Sequence, residues 1–78
     1  LFPQTLLNIR LQPGQDWKTN AQLASEIKRV EAELGVDGRV LIRASGTEPL
    51  LRIMVEARDA TQAHMCAERL ADTLLTNR

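Results

Sequence analysis

Hydrophobic and polar residues follow two different periods along this chain of 78 residues. Alternation of apolar and polar residues, a period of two, predicts a strand with one buried face. Three segments show this alternation: residues 6–11, 39–43 and 51–57. The side chains expected to face the core are Leu7, Ile9, Leu11, Val40, Ile42, Leu51, Ile53 and Val55.

Two other segments carry apolar residues three or four positions apart, which is the spacing of an amphipathic helix. The first helix is predicted over residues 20–34, with Thr19 or Asn20 as its N-terminal cap and Gly35 following it where a left-handed residue is expected. The second is predicted from residue 60 to about residue 75. Their apolar stripes are Leu23, Ile27, Val30 and Leu34, and Ala63, Ala67, Leu70 and Leu74.

The order of the elements predicts an α+β fold with two layers. Strand, helix, strand, strand and helix would form a small, mainly antiparallel sheet with both helices packed on its one apolar face. Residues 1–78 are expected to form one domain, cut from a larger protein because the chain opens on Leu1 and not on Met. The outer sheet face would then carry Asn8, Arg10, Leu41, Arg43, Arg52, Met54 and Glu56.

The loop between the last two strands carries the candidate chemistry. If Ile42 faces Ile53 on the core side of the hairpin, Arg43 faces Arg52 on the outer side. Two like charges in this position repel each other, and an anion between them would remove the repulsion and accept charge-assisted hydrogen bonds. The pairing therefore indicates an anion site on the outer face.

Other groups in this loop suit a phosphate. Ser45 and Thr47 have hydroxyls that can donate to phosphate oxygens, and Gly46 lets the backbone approach a ligand closely. Pro49 stiffens the end of the loop, whereas Glu48 repels phosphate and should point elsewhere. Residue types alone are equally compatible with a solvated hairpin that carries ordinary surface arginines.

Charge and composition argue against other partners and chemistries. Lys plus Arg equals Asp plus Glu, at 10 each, and the aromatic residues Phe2 and Trp17 lie outside the predicted central strands, so we expect no nucleic-acid partner. No apolar run approaches the ~20 residues of a membrane span. His64 has no second ligand nearby in the sequence, Cys66 has no visible base, and we predict neither a catalytic residue nor a metal site on this chain.

The run from Arg43 to Pro49, together with Arg52, closely resembles the phosphate-binding signature of the α-D-phosphohexomutase superfamily. That signature lies in the fourth, C-terminal domain of the superfamily, whose element order matches the one predicted for this chain. The continuation over residues 51–56 resembles the phosphoglucosamine mutase branch in particular. Alternatives that stay open are the same domain of a phosphomannomutase or phosphoglucomutase, and a stand-alone module that binds phosphorylated ligands.

The resemblance implies that the whole protein is an isomerase, which moves a phosphoryl group between the 6- and 1-positions of glucosamine phosphate through a phosphoserine. The phosphoserine and a Mg²⁺ ion would lie outside this chain, which alone would be inactive. This domain would hold the phosphate that is not being transferred and would rotate to close the active-site cleft. Its partners would be the phosphosugar and the other domains of a cytoplasmic enzyme. The phosphate-binding residues implied are Arg43, Ser45, Gly46, Thr47 and Arg52.

Overall fold

The structure is a computed structural model that describes residues 2–76, apart from the side chain of Thr76. Its main elements are strand β1 (Gln4–Arg10), helix α1 (Ala21–Leu34), strand β2 (Arg39–Ala44), strand β3 (Leu50–Glu56) and helix α2 (Ala60–Thr76). The predicted order of elements is confirmed, and each boundary lies within two residues of its expected position. Neither described helix combines the length and the apolar composition that crossing a membrane requires.

Strand β3 lies at the centre of the sheet and pairs antiparallel with β1 on one side and β2 on the other. Ile53 of β3 faces Ile42 of β2, as predicted, and faces Leu7 of β1 on its other side. Because β3 is covered from both sides and by the helices, Leu51, Ile53 and Val55 are each 0% exposed. The apolar face of β3 is therefore the centre of the core.

Both helices pack on this one face of the sheet, so the two-layer α+β prediction is confirmed. Helix α2 contacts β1 and β3, and α1 contacts β2 and α2. The small side chains in the stripe of α2 allow its backbone to approach the sheet closely. The buried residues of α2 are Ala63, Cys66, Ala67, Leu70, Ala71 and Leu74.

Helix α1 begins and ends as its sequence predicts. The Asn20 side chain is the N-terminal cap, and its Oδ1 accepts a hydrogen bond from the N–H of Leu23 at 3.0 Å. Gly35 ends the helix with a φ of +66°, which confirms the expected positive φ. Its ψ of −151° lies outside the left-handed helical region, and only glycine adopts this combination of φ and ψ without strain.

An arginine on α2 connects the two helices. The guanidinium of Arg69 donates to both carboxylate oxygens of Glu33, at 2.8 and 2.9 Å, and it also donates to Glu26 at 2.8 Å. These hydrogen bonds lower the pKa of the Glu33 carboxyl and raise the pKa of Arg69. The cluster fixes the rotation of one helix against the other on the solvent side.

Gly38 lies where the chain passes between the end of α1 and the end of β3. Its φ of −135° is ordinary extended backbone that any residue adopts. A Cβ atom at Gly38 would however lie 2.6 Å from the carbonyl oxygen of Glu56 and 2.7 Å from the Cβ of Leu34. The glycine is therefore required by a close approach of two chain segments.

Candidate functional site

A loop of five residues, 45–49, joins β2 to β3 at one end of the sheet. The N–H of Ser45 donates to the carbonyl of Leu50 at 2.9 Å, which closes the loop from within the hairpin. The N–H of Leu11, just after β1, donates to the carbonyl of Pro49 at 2.7 Å. Both ends of the loop are thus fixed by backbone hydrogen bonds.

The two loop hydroxyls are available as donors. The N–H of Glu48 donates to Oγ of Ser45 at 3.4 Å, and a hydroxyl that accepts keeps its own hydrogen for another partner. Thr47 is exposed, and its hydroxyl has no hydrogen-bond partner among residues 2–76. Ser45 and Thr47 can therefore both donate to an anion at the surface.

Gly46 is exposed, and no contact among the described residues 2–76 requires a glycine there. Its φ is not positive, and an added Cβ atom would meet no atom within 4 Å. This contrasts with Gly38, whose Cβ would collide with β3 and α1. The close approach of a ligand to the Gly46 backbone stays a prediction, and a Cβ atom at this position would reach only into the open space that such a ligand would occupy.

Arg43 and Arg52 face each other on the outer side of the hairpin, as predicted. Side chains that are directly opposite on antiparallel strands have Cβ atoms about 5 Å apart. Both arginines are exposed, and neither forms an ion pair with a carboxylate in the described part of the chain. No described carboxylate therefore compensates the repulsion between the two guanidinium groups, and an anion bound between them would.

The loop and the two arginines surround one space. A shallow depression of about 310 Å³ is lined by Arg43, Ala44, Ser45, Gly46 and Arg52. One water molecule takes up about 30 Å³ in the liquid, so the depression has room for a phosphate group. Four of the five predicted site residues thus border the same space, whereas Thr47 lies outside its lining.

The arginines fall into two groups. The four that form ion pairs are Arg29 with Glu26, Arg39 with Glu56, Arg58 with Asp37, and Arg69 with Glu26 and Glu33. Among residues 2–76, the arginines without a carboxylate partner are Arg10, Arg43 and Arg52. Each of these comes from a different strand of the outer face, so positive charge concentrates there although the net charge of the chain is zero.

Two features of this face were not assigned to the site from the sequence. Arg10 faces Leu50, which lies two residues before Arg52 on β3 and therefore points to the same side of the sheet. The second feature is an apolar row of three residues, directly opposite one another, that borders a depression of about 260 Å³ together with Arg43 and Arg52. This apolar row consists of Leu6, Met54 and Leu41. The alternation of β1 shows which side Arg10 and Leu6 occupy, but only the pairing of β1 with β3 shows what they neighbour.

The described residues do not fit the Mg²⁺ ion implied for the whole enzyme. Within residues 2–76, no three His, Cys, Asp or Glu side chains come together as a possible metal site. His64 lies 3.4 Å from Glu68 of the same helix. Cys66 is buried in the core, and burial raises the pKa of its thiol. No step that uses a metal is therefore assigned to these residues.

Comparison with known proteins decides the family. Residues 6–73, which include the whole candidate site, match the family model described as "Phosphoglucomutase/phosphomannomutase, C-terminal domain". The chain belongs to this family. The phosphohexomutase resemblance read from the loop is thereby confirmed.

Two curated relatives of this phosphohexomutase C-terminal domain bear the name of the same branch. A phosphoglucosamine mutase of Albidiferax ferrireducens is 73% identical over 74 residues, which cover 95% of this chain. One of Delftia acidovorans is 75% identical over 71 residues, or 91% of this chain. The chain spans 17% and 16% of the lengths of these two relatives, about a sixth.

Solved structures share the fold of this domain. The crystal structure of Aspergillus fumigatus N-acetylphosphoglucosamine mutase, in complex with GlcNAc-6P and magnesium, matches with a TM-score of 0.72 and 23% sequence identity. The match covers 92% of this chain and 16% of that chain. At this level of identity the likeness supports the fold of the domain alone.

Proposed function

We propose that this chain is the C-terminal domain of a phosphoglucosamine mutase, a cytoplasmic isomerase that interconverts glucosamine 6-phosphate and glucosamine 1-phosphate through a phosphoserine. The support is the 73% and 75% identity to relatives that carry this name. In this proposal the phosphoserine and the Mg²⁺ ion belong to other parts of the enzyme; the described residues 2–76 bring together no group of three possible metal ligands.

Within that enzyme, the domain holds the phosphate that is not being transferred. The observation that carries this role is the facing pair of Arg43 and Arg52, both without a carboxylate partner in the described chain and both bordering the loop depression. Two guanidinium groups can donate bidentate hydrogen bonds to one phosphate. Ser45 and Thr47 add hydroxyl donors, and Gly46 leaves the backbone accessible.

The role is one of orientation. Phosphoryl transfer depends on holding the reacting groups in line and on stabilising charge that is spread over several oxygens. A group that fixes the remote phosphate of the substrate positions the hexose for transfer at its other end. Loss of that contact should lower kcat as well as weaken binding, because remote binding energy is used for positioning. Rotation of the domain onto the bound substrate would close the active-site cleft.

The proposal is tested by titrating the ¹⁵N-labelled chain with glucosamine 6-phosphate, inorganic phosphate and glucosamine. We expect amide shifts at Ser45, Gly46 and Thr47 with both phosphate ligands and none with glucosamine. Arg43→Gln should weaken binding about 10- to 100-fold, the size expected for losing hydrogen bonds to a charged group. Arg39→Gln is the matched control, because Arg39 lies on the same strand and face but is already paired with Glu56.

Shifts centred on the helices and away from residues 43–52, or equal losses in Arg39→Gln and Arg43→Gln, would contradict the phosphate site. The branch is tested separately with the full-length enzyme, by comparing kcat/KM for glucosamine 6-phosphate, glucose 6-phosphate and mannose 6-phosphate. We expect glucosamine 6-phosphate to be preferred. A preference for mannose or glucose phosphate would assign the chain to the phosphomannomutase or phosphoglucomutase branch.

A further inference from the structure

The apolar row is an exposed hydrophobic surface in the middle of the outer sheet face. Leu6 is 56% exposed and Leu41 is 41% exposed, and Met54 lies between them on the central strand. Neither helix covers these side chains, since both helices pack on the opposite face. Adjacent exposed apolar side chains of this kind typically mark a surface that another protein surface covers.

We propose that the apolar row is a docking surface for another domain of the same polypeptide, which covers the row when a phosphosugar is bound. The inference rests on the proposed function and names the contact by which the domain closes. The partner surface would place apolar side chains over Leu6, Leu41 and Met54. It would place no basic residue over Arg43 and Arg52.

The position of the row relative to the arginines supports this occupant. Arg43 and Arg52 border both the loop depression and the depression at the apolar row. Successive outward positions on a strand are about 7 Å apart, which is close to the length of a hexose. A protein surface that reaches a sugar whose phosphate lies on these arginines therefore also lies over the row.

The reaction requires such a surface to approach. The described residues bring together no metal-binding cluster, and Cys66, a potential nucleophile, is buried in the core on the other side of the sheet. Under the proposed function, the phosphoserine and the metal lie in the remainder of the polypeptide; related enzymes are long enough to supply such a remainder, because this chain spans 17% of one of them. The remainder is therefore the surface that meets the sugar next to the row.

Charge disfavours a second copy of this chain as the occupant. A symmetric contact whose two-fold axis runs along the strands would bring Arg10, Arg43 and Arg52 of both copies together, and like charges across an interface repel. An axis along the row would instead place these arginines over Arg39 and Glu56, whose ion pair offers no net opposite charge. The row is also narrow, because the ion pair of Arg39 and Glu56, at 3.1 Å, lies on its other side. A small apolar surface with polar borders suits a reversible contact between domains of one chain.

The test uses the full-length enzyme with the double substitution Leu6→Gln and Leu41→Gln. Both side chains are already exposed in this domain, so the change should leave its folding intact. The matched control is Met65→Gln with Leu75→Gln, which are 59% and 61% exposed on α2. Three quantities are measured: KM for glucosamine 6-phosphate, the inhibition constant of inorganic phosphate, and compaction by X-ray scattering when substrate is added.

In the Leu6→Gln/Leu41→Gln enzyme we expect KM to rise about tenfold, the size expected when part of the burial of two leucines is lost. Compaction with substrate should be lost, while inhibition by inorganic phosphate should stay unchanged because the arginines and the loop are intact. Leu6→Met/Leu41→Met should restore both KM and compaction. The control should behave as the wild type.

Unchanged KM and compaction in the Leu6→Gln/Leu41→Gln enzyme would overturn the docking surface. A dimer that this variant dissociates would also overturn it, in favour of a second copy. Arg43→Gln separates this failure from a failure of the proposed function. If Arg43→Gln weakens inhibition by phosphate, the proposed phosphate site is supported whether or not the apolar row docks; if Arg43→Gln has no effect, the proposed phosphate-holding role is refuted.

Discussion

Two glycines of this domain should respond in opposite ways to the same substitution. Gly38→Ala adds a methyl group 2.6 Å from the Glu56 carbonyl oxygen and 2.7 Å from the Cβ of Leu34. Gly46→Ala adds one that meets no protein atom within 4 Å. The first should destabilise the fold without touching the phosphate site. The second should leave the fold intact and obstruct the phosphate site.

The magnitude for Gly38 follows from these distances. Non-bonded carbon atoms favour separations of about 3.5–4.0 Å, so the chain segments must move apart by roughly 1 Å. Neither neighbour can rotate away, because one belongs to the backbone of β3 and the other is the first side-chain atom of α1. Overpacking of this kind costs about 1–3 kcal/mol, and the rigid neighbours favour the upper end. In a domain of this size that corresponds to a fall in the unfolding temperature of about 10–20 °C.

Thermal unfolding followed by circular dichroism measures both variants of the chain. Gly46→Ala should unfold within a few degrees of the wild type, or slightly higher, because alanine restricts the unfolded chain more than glycine does. The same sample titrated with inorganic phosphate should show weakened binding. An unchanged unfolding temperature for Gly38→Ala would refute the close approach at this point. Normal phosphate binding by Gly46→Ala would refute the idea that the ligand needs the bare backbone.

Three other expectations concern charged and buried groups. Arg69 lowers the pKa of the Glu33 carboxyl in the folded state, so this pair should stabilise the fold at pH values above the pKa that Glu33 has in the unfolded chain. The stabilisation should disappear as the pH falls through the pKa of folded Glu33. The unfolding temperature of Glu33→Gln should therefore fall less between pH 6 and pH 3 than that of the wild type. The Cys66 thiol, buried and with a raised pKa, should resist iodoacetamide in the native chain and react after unfolding, as measured by mass spectrometry. Arg10→Gln should weaken phosphate binding about two- to threefold, because Arg10 attracts the anion electrostatically from a neighbouring position on the sheet. The effect should be larger at low than at high salt, and an equal effect at all salt concentrations would contradict this account.

The sequence predicts the fold well because the two-residue period of the strands and the three- to four-residue period of the helices occur in separate segments. One side of each predicted strand is uniformly apolar while the other side is mixed, and each helix has one apolar stripe, so a single two-layer arrangement buries the uniformly apolar faces. The shared face of Arg43 and Arg52 also follows, since every hairpin register that buries both apolar sets puts the two arginines on the outer side, and the structure has the expected register with Ile42 opposite Ile53. What does not follow is that β3 occupies the centre, because β1 is separated from the hairpin by a whole helix and has no local turn to set its partner.

The same limit applies to the candidate site. Arg43 and Arg52 are found from the sequence because they belong to one hairpin, and the loop that joins them is short. That Arg10 and Leu6 lie close to the site is shown only by the pairing of β1 with β3. Gly38 is a further case, since residues 37–38 have the composition of a turn, whereas the need for glycine comes from atoms of Leu34 and Glu56.

The central position of β3 has a consequence for how the domain forms. As the chain leaves the ribosome, β1 emerges first but has no strand to pair with until β3 follows; Arg10 and its partner Leu50 are 40 positions apart. Non-local pairing of this kind is slow to form, because a long loop must close before any contact rewards it. Formation of the turn at residues 45–49 pairs β3 with β2, and β1 can then pair with the free edge of β3. Substitutions in this turn are therefore expected to alter the rate of folding, even where they leave the final stability unchanged.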